Sequence, residues 1–281
     1  MKKIIISVLF SLLPGLVYAQ DISVEPASIE PVSTEQISTT EISTEQQGFE
    51  IMQEMDARDM GWGDMNTDMQ MILKNKNGDE HIRSLRLKTL EMQGDGDKSL
   101  SIFDTPRDVK GTAFLSFTHA LEADEQWLYL PALKRVKRIS SSNKSGPFLG
   151  SQFAFEDLTS FELKKYKYNY LRDEVVDGLD SFVVELFPQY EHSGYTRNVV
   201  WVDKERYIPL KVDYYDRKNA LLKTQKFIDY KQYLEQYWRA DKSEMQNHLT
   251  GKSTILLWQG YVFRTDLTER NFDKNTLKRS R

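Results

Sequence analysis

The chain has no cysteine in its 281 residues, which excludes both a disulfide scaffold and a thiolate metal site. It has no excess of positive charge either. With 38 basic against 42 acidic residues the net charge is −4, unlike a strongly basic nucleic-acid binder. Long hydrophobic runs are missing, and a mean hydropathy of −0.57 excludes a polytopic membrane protein. What is present is 40 % hydrophobic and 12 % aromatic residues, too apolar for a disordered chain. One or two soluble domains with a packed core remain.

The first nineteen residues combine Lys2 and Lys3, an apolar run from Ile4 to Leu13, the breaker pair Pro14-Gly15 and the small-residue end Val17-Tyr18-Ala19. These are the parts of a secretory leader cleaved after Ala19. The apolar run ends well short of the roughly 20 residues a membrane span requires. A soluble periplasmic product is the simplest expectation. Residues 20–47 follow with six acids, nine Ser or Thr, two Pro, no base and no aromatic. Such a stretch buries too little apolar surface to offset its ordering entropy and reads as a disordered linker. Removing two leader lysines and six linker acids from −4 leaves residues 48–281 with a net charge of zero. Any basic region of this 48–281 domain is therefore a local patch.

From Gly48 the pattern changes. Ile51, Met52 and Met55 recur at helical spacing, predicting a helix over 48–60. Met65, Thr67, Met69, Met71 and Leu73 then alternate with polar residues, Asn77-Gly78-Asp79 turns the chain, and 81–92 returns. Further strands are predicted at 99–104, 112–118, 125–130, 134–139, 164–175, 181–187, 195–203, 209–216, 220–231 and 252–258. Helices are predicted only at 48–60, 156–162 and 235–247. A long antiparallel meander with few helices implies a mainly β barrel or a strongly curved sheet.

Catalytic signatures are missing. His81, His119, His192 and His248 are scattered without metal-ligand spacing. Gly251-Lys252-Ser253-Thr254 resembles the end of a phosphate loop, but Gln246 stands where its first glycine belongs. Asp95 and Asp97 lie in a glycine turn with too few following oxygens for a calcium loop. Glu156 and Asp157 are adjacent and read as charge at a helix start. No enzyme, metal or cofactor is expected.

Two features stand out. Six of nine methionines fall between Met52 and Met71, and aromatic rows follow at Trp127 and Tyr129, at Tyr166, Tyr168 and Tyr170, and at Tyr195 and Trp201. A curved sheet must fill its concave side or leave a cavity, so Met52, Met55, Met69, Met71, Trp127, Tyr129, Tyr166, Tyr168 and Trp201 are the candidate lining. The second feature is the run Lys134, Arg135, Lys137, Arg138 and Lys144, followed by Phe148, with no acid before Glu156. Positive charge beside apolar groups suits a docking loop on an anionic membrane surface, and equally an edge strand guarded by lysine.

Several blocks carry a resemblance. Gly61-Trp62-x-Asp64, Pro106-Arg107-Asp108 ahead of Gly111-Thr112-Ala113-Phe114-Leu115, the run from Trp127 to Val136, Gly150-Ser151-x-Phe153 and Glu156-Asp157-Leu158 together resemble the outer membrane lipoprotein-sorting protein family. That family is similar to the lipoprotein carrier LolA, and the likeness runs from about residue 50 to about 260. It implies a LolA-like open antiparallel barrel of about eleven strands with helices lidding a hydrophobic cavity. It implies an arginine on an early strand that holds the lid, Arg83 or Arg86. It also implies a non-catalytic monomeric carrier of lipid or lipidated cargo, served by an RND-type inner-membrane exporter and touching membrane transiently. The alternative is a carrier-less adaptor subunit of such an exporter, and a lipid or glycan hydrolase is the third reading.

Overall fold

The computed structural model describes residues 42–279. The predicted leader and the linker as far as residue 41 lie outside the described residues. One helix, α1 (Thr44–Arg58), precedes thirteen strands: β1 (Asp64–Lys74), β2 (Glu80–Leu90), β3 (Lys98–Thr105), β4 (Ala113–Phe117), β5 (Glu125–Leu130), β6 (Arg135–Ile139), β7 (Tyr166–Val176), β8 (Leu179–Pro188), β9 (Tyr195–Asp203), β10 (Pro209–Asp216), β11 (Leu221–Tyr233), β12 (Tyr237–Asn247) and β13 (Ser253–Phe263). All pair antiparallel in a single sheet ordered β6-β5-β4-β3-β2-β1-β13-β12-β11-β10-β9-β8-β7.

That order makes the chain lay β1 to β6 outward to one edge and then cross to the opposite edge before β7 to β13 walk back to β1. The crossing segment, residues 140–165, joins the two unpaired edges and contains short 3-10 turns and one isolated antiparallel bridge, Pro147 with Ala154. Seven strand spacings separate β6 from β12, roughly 34 Å in a flat sheet. Yet Ile139 of β6 and Met245 of β12 share one buried cluster with Met69, Met71, Phe103 and Phe114. The sheet is therefore curled into an open barrel, and Phe148 and Phe153 of the crossing segment fill that part of its hollow side. The Phe148 ring lies tilted against Phe114 and Phe103, with centroids 5.0 and 6.1 Å apart.

A second cluster joins α1 to the other flank. Ile51 and Met52 pack on Tyr168, Val184, Val200 and Val202. Gly48 lets the helix approach closely, since a Cβ there would lie 2.8 Å from the Tyr170 amide nitrogen. The outer face is covered separately. Residues after β13 return along β3 to β5, where Phe272 and Leu277 bury Leu100, Ile102, Leu115 and Trp127.

Strand alternation in β1 holds as predicted: Thr67, Met69 and Met71 are buried, while Asp68 and Gln70 are exposed. Four predictions are corrected. The helix starts at Thr44, inside the stretch assigned to the linker, because Ser43 caps it by accepting the Gln46 amide at 3.2 Å. The predicted helix at 156–162 is a single 3-10 turn, Phe155–Leu158. The predicted helix at 235–247 is strand β12. Its sequence is rich in helix formers, and the turn before it sets Leu234 and Glu235 at φ of 50° and 61°. Neither residue advertises a positive-φ turn, which Gly or Asn ordinarily occupies. The strands number thirteen where the resemblance implied about eleven.

Candidate functional site

The hollow side is filled at one end and open at the other. A cavity of about 1030 Å³ lies beyond the phenylalanine-filled half, at the upper end of the roughly 300–1,000 Å³ common for ligand pockets. The C-terminal turn of α1 supplies Met55 and Asp56, and the residues just beyond it supply Asp59 and Met60. The central strands supply Met65, Trp258 and Tyr261, and β11 and β12 supply Phe227, Tyr230, Trp238 and Ala240. Trp258 also packs on the cluster around Met69 and Met71, so one indole forms the wall between the filled and open halves.

The Gly61-Trp62-Gly63-Asp64 motif builds one end of this cavity. Gly61 and Gly63 take φ of 97° and 86°, and their amides donate to the two carboxylate oxygens of Glu91 at 2.5 and 2.7 Å. This clamp seats Trp62 edge-on to Phe263, with the Arg239 guanidinium over its ring. Asp64 accepts from both the amide and the hydroxyl of Thr265, pinning the chain that leaves β13.

Charge is unevenly distributed around the cavity. Seven acids line it (Asp56, Asp59, Glu91, Asp95, Asp97, Glu162 and Glu205) against four bases (Arg58, Lys164, Arg206 and Arg239). Burial, and then the charges of Glu162, Glu91 and Asp59, push the Asp97 carboxyl up to about 7, against one hydrogen bond from the Met92 amide. Burial likewise raises Asp56, Asp59 and Glu162.

The crossing segment is fastened by buried polar anchors. At its start Lys144 lies 3.3 Å from Asp124, which also receives Lys165 at 2.5 Å. At its centre Lys223 donates to Asp157 at 2.5 Å and to the Gln152 carbonyl at 3.0 Å, beneath the rings of Tyr195 and Tyr214. Tyr195 donates its hydroxyl to the other Asp157 oxygen at 2.7 Å. Glu156 accepts from Tyr190, Ser193 and the Gly194 amide, and burial raises its carboxyl above the usual range. Glu156 and Asp157 do sit in the first turn of the 3-10 segment, as their adjacency suggested, with Asp157 accepting the Ala154 amide at 2.6 Å; both are also anchors in the interior. Removing one member of so buried a pair is strongly destabilising because it strands the other charge.

The predicted residues disperse. Of the nine candidates for the lining, Met55 lines the cavity. Met69 and Met71 lie under the inserted phenylalanines, and Met52, Tyr166 and Tyr168 pack between α1 and the sheet. Trp127 and Tyr129 face outward beneath the C-terminal segment. Trp201 is buried with Val183, Val199 and Leu210, with Lys211 over its ring at 3.8 Å. Trp127-Leu128-Tyr129-Leu130 is apolar on both faces, so its period cannot say which face is inward. Lys134, Arg135, Lys137 and Arg138 are exposed on or beside edge strand β6. Lys144 and Phe148 are buried and cannot belong to a docking surface. Arg83 donates to the Leu149 carbonyl at 2.7 Å, on the crossing segment; Arg86 instead forms a two-point pair with Asp104. Sequence reading missed Trp62 as lining, along with Phe227, Tyr230, Trp238, Trp258 and Tyr261. Phe227 and Tyr230 stand three positions apart, which strand alternation assigns to opposite faces, so the period of 220–231 could not have found both, and Trp238 was lost with the helix assignment.

Comparison with known proteins decides the family. Similarity at 60 % identity links the chain to a domain described as an outer membrane lipoprotein-sorting protein from Vibrio parahaemolyticus, with a TM-score of 0.81 over 83 % of this chain and 98 % of that one. The chain belongs to the outer membrane lipoprotein-sorting protein family. A DUF1329 family protein from Desulfovibrio piger aligns at 28 % identity and a TM-score of 0.80, over 84 % of this chain and all of that one. A LolA superfamily protein from Nitrosomonas europaea shares the fold at 21 % identity and a TM-score of 0.65, over 83 % and 99 % of the two chains. A family model described only as "uncharacterized protein" matches residues 95–279. No curated protein matches by sequence. The open thirteen-stranded barrel of this lipoprotein-sorting family member is thus LolA-like.

The Asp97 environment carries a pH dependence. Its folded-state value near 7 exceeds the ordinary 3.8, so between these limits the native state holds a proton that the unfolded chain has released. This carboxyl therefore lowers stability as pH rises through that window, with the full deficit present above 7. Asp97→Asn is expected to raise Tm at pH 8, with the gain shrinking toward pH 5. Calorimetric scans across that range check it, and a gain independent of pH would contradict the assignment.

Proposed function

We propose that the protein is a periplasmic carrier that shelters the apolar chains of an amphiphilic cargo in the cavity at the open end of its barrel. The observation that carries this reading is a roughly 1030 Å³ space walled by Met65, Phe227, Tyr230, Trp238, Trp258 and Tyr261. A fold assembled only for stability would fill that space, since protein interiors pack as densely as organic crystals. Each methylene transferred there contributes about 0.8 kcal/mol, so one long chain offsets substantial ordering costs. The relative named for lipoprotein sorting supports a lipidated cargo. On this reading the leader is removed after Ala19, the product acts without chemistry of its own, and the exposed bases of β6 face an exporter or anionic membrane.

The segment 140–165 is the closure element in this proposal. Displacing Phe148 and Phe153 would extend the cavity past Trp258 to Met69 and Met71, giving the methionine-rich strand the adaptable lining role its composition suggests. Arg83, not Arg86, then fastens the closure, because only Arg83 bonds that segment.

Two measurements test this. The neutral fluorophore N-phenyl-1-naphthylamine should bind with enhanced emission, and Ala240→Phe, which fills the lining, should weaken it about tenfold. Unchanged binding in a folded variant would remove the cavity from the account. In hydrogen exchange, Arg83→Leu should speed exchange of amides in 146–155, while Arg86→Leu should leave them as they are. Equal protection in both variants would deny Arg83 the fastening role.

A further inference from the structure

We infer that the cargo accepted by this cavity carries a cationic head group, an alkylammonium joined to its long apolar chain. The inference rests on the carrier reading and adds the chemical class of the ligand. Its first support is the charge of the lining. Asp59 pairs with Arg239, and Asp95 with His119. Arg58 and Arg206 are committed to Glu54 and Asp203, which do not line the cavity, and Lys164, exposed at the rim, is the one lining base without an ion-pair partner among the described residues. Asp56, Glu91, Asp97, Glu162 and Glu205 have no ion-pair partner among the described residues. Four of them gather with Asp59 where α1 ends, beside the 91–97 turn and residue 162.

The second support is the kind of surface facing these acids. Aromatic rings already hold cations at this site: Arg58 lies over Tyr207 at 4.2 Å, Arg206 over Trp238 at 5.4 Å and Arg239 over Trp62 at 5.5 Å. Tyr230, Trp258 and Tyr261 add further rings to the wall. A large, diffuse ammonium is attracted by such quadrupoles and by a surrounding field, without tight ligation.

The third support separates an organic cation from a metal ion. Among the described residues no three His, Asp or Glu side chains are placed to share a metal. Spread carboxylates over an apolar cavity cannot replace the hydration shell of a hard cation, which demands six or more close oxygens. They can offset an alkylammonium, which is weakly hydrated and brings its own chain for the apolar wall. An anionic head would meet five acids without ion-pair partners against one free base, Lys164, and be disfavoured by that excess of negative charge. Asp97 is raised first by burial, and the adjoining charges of Glu162, Glu91 and Asp59 add to that shift.

The test uses three single-chain probes of equal length, dodecyltrimethylammonium, tetraethylene glycol monododecyl ether and dodecyl sulfate. Each is titrated below its micelle concentration against bound N-phenyl-1-naphthylamine. The cationic probe should displace the fluorophore at about tenfold lower concentration than the neutral one, with the anionic probe weakest. In Asp97→Asn/Glu162→Gln the ratio between cationic and neutral probes should fall to about one. Equal displacement by all three probes in the native protein would overturn the head-group inference and leave the carrier reading standing. So would a ratio that survives the double substitution. No displacement by any probe would overturn both.

Discussion

The structure is governed by one constraint: a curled sheet with two unpaired edges has a hollow side that must be filled or occupied. The strand order leaves a single connection between those edges, and that connection has to pass across the hollow. Phe148 and Phe153 on this segment supply the interior packing for Met69, Met71, Phe103 and Phe114. Because they come from a crossing loop and not from a strand, this half of the core is held in place by anchors at particular residues. Lys144, Lys223 and Arg83 are those anchors, each bonding the crossing segment to the barrel or to its neighbour Asp124.

The other half of the hollow has no such insert. There α1 and the strands β11 to β13 border an open space lined by aromatic rings and carboxylates together. Residues 48–281 carry no net charge as a whole. Acids gathered at the cavity are balanced elsewhere, and exposed Lys134, Arg135, Lys137 and Arg138 on the β6 side supply part of that balance. The molecule is therefore polarised, with an acidic cavity and a basic edge. The same bases serve a second purpose, since charge on an edge strand discourages pairing with another chain.

Much of the architecture was legible in the sequence because alternation survives wherever one face is buried and the other wet, as in β1. It failed where both faces are apolar. Trp127 and Tyr129 look like cavity lining until the C-terminal segment is seen to cover them from outside, and no local pattern announces that return. It failed again at β12, where two ordinary residues adopt a left-handed turn and the strand behind them is written in helix-forming residues. The motif blocks located the family, but their chemistry was opaque in one dimension. Glu156 and Asp157 show their role only when Tyr190, Gly194 and Lys223 arrive from strands and turns far along the chain. The acidic wall is the same case, since Asp56, Glu91, Asp97 and Glu162 are isolated charges in the sequence and neighbours only in the fold.

The central claim, that the open half of the barrel carries an amphiphile, is tested most directly by native mass spectrometry with lipid extraction. The protein would be purified from its own periplasm without detergent. The account predicts a stoichiometric adduct whose extracted component is a long-chain amphiphile. A bare protein mass that stays unchanged after incubation with envelope lipid vesicles would contradict it.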